Sequence, residues 1–269
     1  MQREIKRLGA ELANQIAAGE VIENPAAIVK ELVENSIDAG AHHVEIMLEQ
    51  GGKSLIRITD DGCGIGKKDL PLALERHATS KIASFDDLCC VESMGFRGEA
   101  LASIASVSRL RLISKPADEA IAYQLSVDGE SSTKPKLAPY QQPIADGTIV
   151  EVWDLFFRVP AREKFLSSVS SELRKVREVV KKLILAHPTV TIELHHGAKK
   201  LYNVHAAESI EQASSRVKAI FGDEFTQHSL FMDERVQWGR IVCWCAKPVF
   251  TRSQADMQYF FINNRPIKD

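Results

Sequence analysis

Apolar residues return at helical spacing early in the chain, where Ile28, Val29, Leu32, Val33 and Ile37 fall on one broad arc at about 100° per residue. Glu31, Asn35 and Asp38 form a narrow polar stripe along the edge of that arc. Asn24 stands where a capping side chain is expected, Pro25 suits a first turn, and Gly40 sits where a left-handed residue ends a helix. Upstream, Leu12 and Ile16 have helical spacing up to Gly19. Downstream the period changes to two: Val44, Ile46 and Leu48 alternate with Glu45, Met47 and Glu49, and past Gly51-Gly52 the run Leu55-Ile-Arg-Ile-Thr59 alternates again. That pattern predicts a β-hairpin. Leu70, Ala73, Leu74 and His77 predict a short helix over residues 68–78, and Leu101, Ile104, Ala105 and Val107 predict another. Strand-like runs follow at residues 110–113, 122–127 and 148–153, and Leu173, Val176, Val180, Leu183 and Ile184 mark a further helix. The predicted class is α+β, with helices covering one face of a mixed β-sheet and leaving a nucleotide-sized gap.

Composition narrows the class of protein. The 269 residues are 45% hydrophobic and 26% charged, enough apolar material for a core and enough length for two domains. No apolar run approaches the ~18 residues of a membrane span, and Met1-Gln-Arg-Glu-Ile-Lys-Arg lacks the apolar core of a secretion signal, so a cytoplasmic location without membrane contact is expected. Five cysteines without a CxxC read as reduced, structural thiols. Cys243 and Cys245 would share one face of a strand and could bind metal, but no further Cys or His stands at ligand spacing, so core packing is expected.

The formal net charge of -2 excludes binding of nucleic acid by bulk charge, so any such surface has to be local. Between Arg158 and Lys182 eight Lys or Arg face three Glu, a local excess of five. Arg162, Arg174, Arg177 and Lys181 in that run are candidate DNA contacts, and a solvated helix face is the alternative. Arg265 and Lys268 offer a second basic point. No base-reading motif occurs, which predicts sequence-independent DNA binding.

Three stretches carry candidate chemistry. The second hairpin strand ends in Asp60-Asp-Gly-Cys-Gly-Ile-Gly66, where glycines free the backbone to turn and approach a ligand. Asp60 at a strand end could accept a hydrogen bond from an exocyclic amine such as that of adenine; a surface turn rich in Asp and Gly is the alternative. Thr79-Ser-Lys81 opens a polar stretch, read as a mobile lid over residues 79–94. Gly95 and Gly98 lie just before a helix N-terminus, whose unpaired N–H groups attract phosphate, although a plain loop fits equally. Neither GxxxxGK[ST] nor GxGxxG occurs, so an ATP site would be of another type. His77, a single histidine on a short helix, is left out of the chemistry.

In order and spacing, Glu31 to Asn35, Asp60-Asp-Gly-Cys-Gly64, Gly95-Phe-Arg-Gly-Glu-Ala-Leu101 and Asp146-Gly-Thr148 resemble the four motifs of the GHKL ATPases. Within that group the words Gln15-Ile-Ala-Ala-Gly-Glu-Val21, Lys30-Glu-Leu-Val-Glu-Asn35, Arg76-His-Ala-Thr-Ser-Lys-Ile82 and Pro160-Ala-Arg-Glu-Lys-Phe-Leu166 resemble the MutL mismatch-repair family, over nearly the whole chain. The resemblance implies ATP and Mg²⁺ as ligands. It makes Glu31 the general base, gives Mg²⁺ to Asn35 and the adenine amine to Asp60, and places Gly62, Gly64, Thr79, Gly95, Phe96, Arg97, Gly98, Glu99 and Thr148 around the nucleotide. Asp61 departs from the Asn of many relatives, with little consequence expected. Residues 1–204 would form the GHKL-type domain, and residues 205–269 the beginning of a ribosomal-protein-S5-like α/β domain, cut off before the part that brings a lysine to the γ-phosphate. Slow hydrolysis is the expected result. Implied partners are DNA, a mismatch-recognition protein, a downstream nuclease or helicase, and a second copy of the full-length chain when ATP is bound. Another GHKL ATPase (topoisomerase or chaperone) or a non-hydrolysing DNA-binding scaffold are the alternatives, and no nuclease activity is claimed.

Overall fold

A computed structural model describes residues 22–81, 94, 98–128, 131–138, 146–254 and 256–267. The predicted helix near residues 11–22, most of the predicted lid, Cys89, Cys90, Gly95, Phe96, Arg97 and Lys268 lie outside the described residues.

Helix α1 (Pro25–Asp38) forms where the pattern places it. The Asn24 side chain accepts from the Ala27 amide at 3.2 Å, and Gly40 takes the left-handed conformation (φ +77°) just past the end. A cap of this kind stabilises a helix by about 1 kcal/mol. Strands β1 (His43–Glu49) and β2 (Leu55–Asp60) then pair antiparallel in the predicted hairpin, with Val44 opposite Asp60. The helix expected over residues 68–78 is not formed; only a 3₁₀ turn at Leu72–Leu74 appears. The chain leaves helical geometry at Glu75, which is extended (ψ 144°), and His77 takes a left-handed conformation (φ +63°). Leu70 is nonetheless fully buried, so its apolar signal marked burial rather than helix.

Helix α2 (Ala100–Val107) leads into β3 (Arg109–Lys115), β4 (Tyr123–Asp128), the short β5 (Ser131–Ser132) and β6 (Lys136–Leu137), and β7 (Gly147–Trp153). A turn of helix, α3 (Pro160–Glu163), precedes α4 (Val169–Ala186), β8 (Thr191–His196) and β9 (Lys199–Val204). The main sheet runs β5-β4-β3-β7-β2-β1-β8-β9, with β6 beside β4. Only β1 and β8 pair in parallel among its described ladders, so the sheet is mixed as the pattern predicts.

Period-2 alternation decides which sheet face meets the helices. Ile46, Leu48, Ile56, Ile58, Leu110, Leu112, Val150, Val152, Ile192 and Leu194 are buried with Ile28 and Leu32 of α1 and Val176, Val180 and Leu183 of α4 in one core. Each such side chain contributes about 1.5–3 kcal/mol relative to exposure. The other face is polar: Arg111 Nε donates to Glu151 Oε2 at 2.6 Å, and Arg57 lies 3.7 Å from the same carboxylate.

The C-terminal part comprises α5 (Ile210–Phe221), α6 (Asp223–Gln227), the hairpin β10 (Ser229–Val236) with β11 (Gly239–Ala246), and the small ladder β12 (Phe260–Ile262) with β13 (Arg265–Ile267). Ser209 and Gln212 close a capping box at the start of α5. Phe225 packs against Phe221 and Phe250, and Phe221 against Tyr259, giving this part a small aromatic core. Cys243 and Cys245 do share one face of β11, but Cys245 is exposed and Cys243 only partly covered, so the expected core packing does not occur. Which face of a strand stays uncovered is something alternation within it cannot reveal.

Arg216 joins α5 to the rest of the chain. It is buried and donates to the carbonyls of Ile184 (2.8 Å), His187 (3.0 Å) and Val190 (3.0 Å), and also to that of His205. These carbonyls lie at the end of α4, between it and β8, and after β9. Burial pushes the Arg216 guanidinium down to about 10, so it stays charged at neutral pH. Arg216→Met leaves these carbonyls without their donor, and we expect a loss of about 3 kcal/mol in urea unfolding. A change within about 0.5 kcal/mol, the usual range for an inert surface substitution, would show that Arg216 is not the clasp.

Candidate nucleotide-binding site

Ser36 belongs to the buried side of α1, and its hydroxyl donates to Asp60 Oδ2 at 2.7 Å. The Gly62 amide donates to Asp60 Oδ1 at 3.0 Å, and the backbone of Thr148 on β7 adds a further bond. Asp60, only 9% exposed, is thus held by α1, by the loop after β2 and by β7. Burial raises its pKa above the ordinary carboxylate value, while the bonds from Ser36, Gly62 and Thr148 oppose the rise.

A second polar relay lies beside it. Ser114 at the end of β3 accepts from the Ile65 amide at 2.7 Å and donates to the Gly147 carbonyl at 3.0 Å, so the Thr148 hydroxyl, 2.8 Å away, is the donor of that pair. Gly147 (φ +131°) is required here, because a Cβ would stand 2.0 Å from the Asp60 carbonyl oxygen. Asp61 serves the backbone: its Oδ1 accepts from His42 and His43 amides at 2.7 and 2.8 Å, anchoring the start of β1. An Asn oxygen would do the same, which accounts for the small consequence expected of that departure.

Farther along α1, Lys30 Nζ lies 3.1 Å from Glu31 Oε1 and 2.9 Å from Glu34 Oε2. Asn35 Oδ1 and Asp38 Oδ2 converge on one cation, Lys81 Nζ, at 2.9 and 2.5 Å. The Met94 amide donates to the second Asp38 oxygen at 2.9 Å. Lys81 in turn starts a turn closed by its own amide on Thr79 Oγ1 at 3.1 Å. Gly98 (φ +60°) packs so closely on this stretch that a Cβ would fall 2.4 Å from the Ala78 carbonyl oxygen. Glu99 pairs with His77, Nδ1 to Oε1 3.2 Å.

The structure therefore brings together Asp60, Gly62 and Thr148 at one place and Asn35 with the Thr79–Lys81 turn at another, both bordering α1. Gly64 (φ +72°) lies against the Lys115 carbonyl, where a Cβ would approach to 2.7 Å. A carboxamide and a carboxylate oxygen already sharing an ammonium are a hard-oxygen pair, the donor chemistry that suits Mg²⁺. Sequence reasoning missed Ser36, Ser114 and Lys81 as site residues. For Ser36 the available signal was a hydroxyl inside the apolar arc of α1; for Ser114 and Lys81 the partners lie at sequence separations that no periodicity reports.

The basic candidates are dispersed. Arg162 donates to the Ile22 carbonyl at 3.3 Å, and Lys181 pairs with Glu178 at 2.8 Å. Arg177 lies over the Tyr202 ring at 5.5 Å, whereas Arg174 on α4 and Arg265 on β13 are exposed.

Comparison with known proteins gives the family and the fold. Residues 23–151 match the family described as histidine kinase-, DNA gyrase B- and HSP90-like ATPase, and residues 217–269 match the DNA mismatch repair protein C-terminal domain. The DNA mismatch repair protein MutL of Pseudomonas entomophila (strain L48) is 48% identical over 265 residues, 98% of this chain and 42% of that protein. The MutL of Pasteurella multocida (strain Pm70) is 49% identical over 265 residues, with 98% and 42% covered. The chain thus spans about two fifths of the length of these curated relatives. Among solved structures, the Aquifex aeolicus MutL ATPase domain complexed with ADP superposes with a TM-score of 0.70 at 29% identity, covering 93% of this chain and 85% of that one. The N-terminal domain of a DNA repair protein shares the fold at 22% identity, with a TM-score of 0.77 over 96% of this chain and 78% of that one. Two family matches in order along the chain, relatives at nearly half identity and the shared architecture give one conclusion: the chain belongs to the MutL family of DNA mismatch repair proteins, and carries its GHKL-type ATPase fold.

Proposed function

We propose that this chain binds ATP with Mg²⁺ and hydrolyses it, and that in the whole protein this cycle drives dimerisation and signals from a mismatch sensor to downstream repair enzymes. The observation that carries the reading is that α1 brings side by side the buried Asp60 carboxylate at the end of β2, held through Ser36, and an oxygen pair at Asn35 and Asp38 that already holds a cation. Residues 1–204 form the nucleotide domain in this reading and residues 205–269 begin the second.

Asp60 keeps its acceptor character at neutral pH and receives the exocyclic amine of adenine, with Thr148, Gly62 and Gly64 shaping the pocket around the base. Glu31, steadied by Lys30, takes the proton of the attacking water. When bound at Asn35, Mg²⁺ supplies charge neutralisation on the phosphates. By the family motif, Thr79, Gly95, Phe96, Arg97, Gly98 and Glu99 are assigned to the phosphate end in this reading, since backbone N–H groups at a helix start favour negative charge. Lys81 occupies the Asn35 and Asp38 oxygens, and a metal bound there would have to displace it. Arg162, Arg174, Arg177, Lys181, Arg265 and Lys268 supply sequence-independent contacts to DNA phosphates.

Glu31→Ala should lower single-turnover hydrolysis of ATP by about a hundredfold or more while leaving ATP affinity within about threefold, because the base acts on water and not on the bound ground state. An unchanged rate removes Glu31 from the role, and no hydrolysis by the unaltered chain favours the non-hydrolysing scaffold.

The raised Asp60 pKa gives a pH prediction with a definite sign. Protonation replaces an acceptor by an O–H donor, so ATP affinity should fall as pH decreases, and the fall should begin above the pH at which an ordinary Asp, about 3.9, would protonate. In Asp60→Asn the affinity should be lower at neutral pH and flat through that window. Titration calorimetry between acid and neutral pH checks it, and an identical profile in both proteins would contradict it.

Lys81→Met removes the internal cation from the Asn35 and Asp38 oxygens. We expect Mn²⁺, read by electron paramagnetic resonance in the presence of ADP, to bind about three- to tenfold more tightly in the variant. Equal or weaker binding would show that Lys81 does not compete for those oxygens.

A further inference from the structure

The nucleotide reading leaves Cys243 and Cys245 unused, and their hairpin contributes no residue to that site. Their Sγ atoms stand 3.6 Å apart. The register of the hairpin sets Met232 opposite Cys243 and Leu230 opposite Cys245. Directly opposed residues of an antiparallel pair share a face with Cβ atoms about 4.5–5.5 Å apart, so the Met232 thioether leaves the sheet beside the two thiols. The opposite face carries Phe231 and Trp244, whose rings pack at 4.9 Å, and Trp244 Nε1 donates to Ser214 of α5 at 3.4 Å. The helix side of the hairpin is therefore the aromatic one. The sulfur side is open: Met232 is 41% exposed, Leu230 59%, and Cys245 is exposed.

The chemistry of three sulfurs selects what could bind. Two thiols at positions i and i+2 of an extended strand have Cα atoms about 6.6 Å apart, at the upper end of the range a disulfide spans. Two sulfurs sharing one metal ion at about 2.3 Å stand about 3.8 Å apart when tetrahedral, close to the spacing found. Structural zinc takes four ligands of the Cys and His type. Among the described residues no group of three His, Cys, Asp or Glu is placed to hold a metal ion, so nitrogen or carboxylate oxygen does not complete this set. Thiolate and thioether donors with low coordination number suit a soft monovalent ion.

We propose that Cys243, Cys245 and Met232 form a surface site for one Cu(I) ion. Binding is ligand exchange without redox change: both thiols release their protons to solvent, two Cu–thiolate bonds form, and the Met232 sulfur donates a lone pair as third ligand. The Leu230 side chain flanks Cys245 and limits the approach of water from that end.

The test is anaerobic titration of the reduced chain with Cu(I) held by a coloured competing chelator, together with X-ray absorption at the copper edge. The unaltered chain should withdraw Cu(I) from the chelator, and Cys245→Ser, at an exposed position, should lose one equivalent of tightly bound copper while unfolding normally in denaturant. Cys243→Ser should do the same, and Met232→Leu, close in volume, should keep the equivalent but weaken it about tenfold and reduce the sulfur count from three to two. Copper uptake that is unchanged in Cys245→Ser, no withdrawal of Cu(I) from the chelator, or equal affinity in Met232→Leu would each overturn the proposal. Cys63, Cys89 and Cys90 are separated by a chain in which all three are Ser, which should retain the equivalent; its loss there would assign the copper to those thiols instead.

Discussion

Burial of the Asp60 carboxylate is the constraint on which the rest of the nucleotide face depends. A carboxylate this deep, left without partners, costs several kcal/mol, so the chain has to bring it donors from three directions. Ser36 supplies one from α1, Gly62 one from the loop, and the Thr148 backbone one from β7. Satisfying Asp60 therefore fixes the rotation of α1 against the ends of β2 and β7. Once that rotation is set, Glu31, Asn35 and Asp38 line the same edge, with about 6 Å of axial rise between Glu31 and Asn35. In the roles proposed above, a carboxylate and a carboxamide so spaced would address a water and a phosphate at the same time.

The second constraint is electrostatic. Asn35 and Asp38 offer oxygens that want a cation, and Lys81 fills that demand from a turn just past the strand-rich half of the site. Gly98, pressed on the Ala78 carbonyl, ties the start of α2 to the same turn. Exchange of one cation for another at these oxygens thus bears on the Thr79–Lys81 turn and, through Asp38, on the Met94 amide.

The sequence reading succeeded where structure is local. Helix α1 announces itself through Asn24, Pro25, Gly40 and an apolar arc, and β1 and β2 through strict alternation, because caps and periodicity are properties of a few consecutive residues. It failed where an apolar pattern marked burial rather than helix, as over residues 68–78, where Leu70 is buried but only a 3₁₀ turn forms. It failed again where burial is decided by what packs on a strand, as at Cys243 and Cys245, which the structure leaves partly covered and exposed. Arg216 was invisible for a related reason: a lone arginine in an amphipathic helix looks solvated until the carbonyls at Ile184, His187 and Val190 are brought to it. The order of the four ATPase motifs was legible only through resemblance, since each piece taken alone fits an ordinary turn or helix face.

The central claim, that Asp60 reads the base, is tested most directly by the affinities of ATP and GTP measured side by side, with Asp60→Ala as reference. A carboxylate accepts from the amine of adenine but faces a carbonyl acceptor in guanine, so ATP should bind at least about tenfold more tightly, and the variant should lose the difference. Equal affinities for ATP and GTP in the unaltered chain, or a preference that survives in Asp60→Ala, would contradict the account.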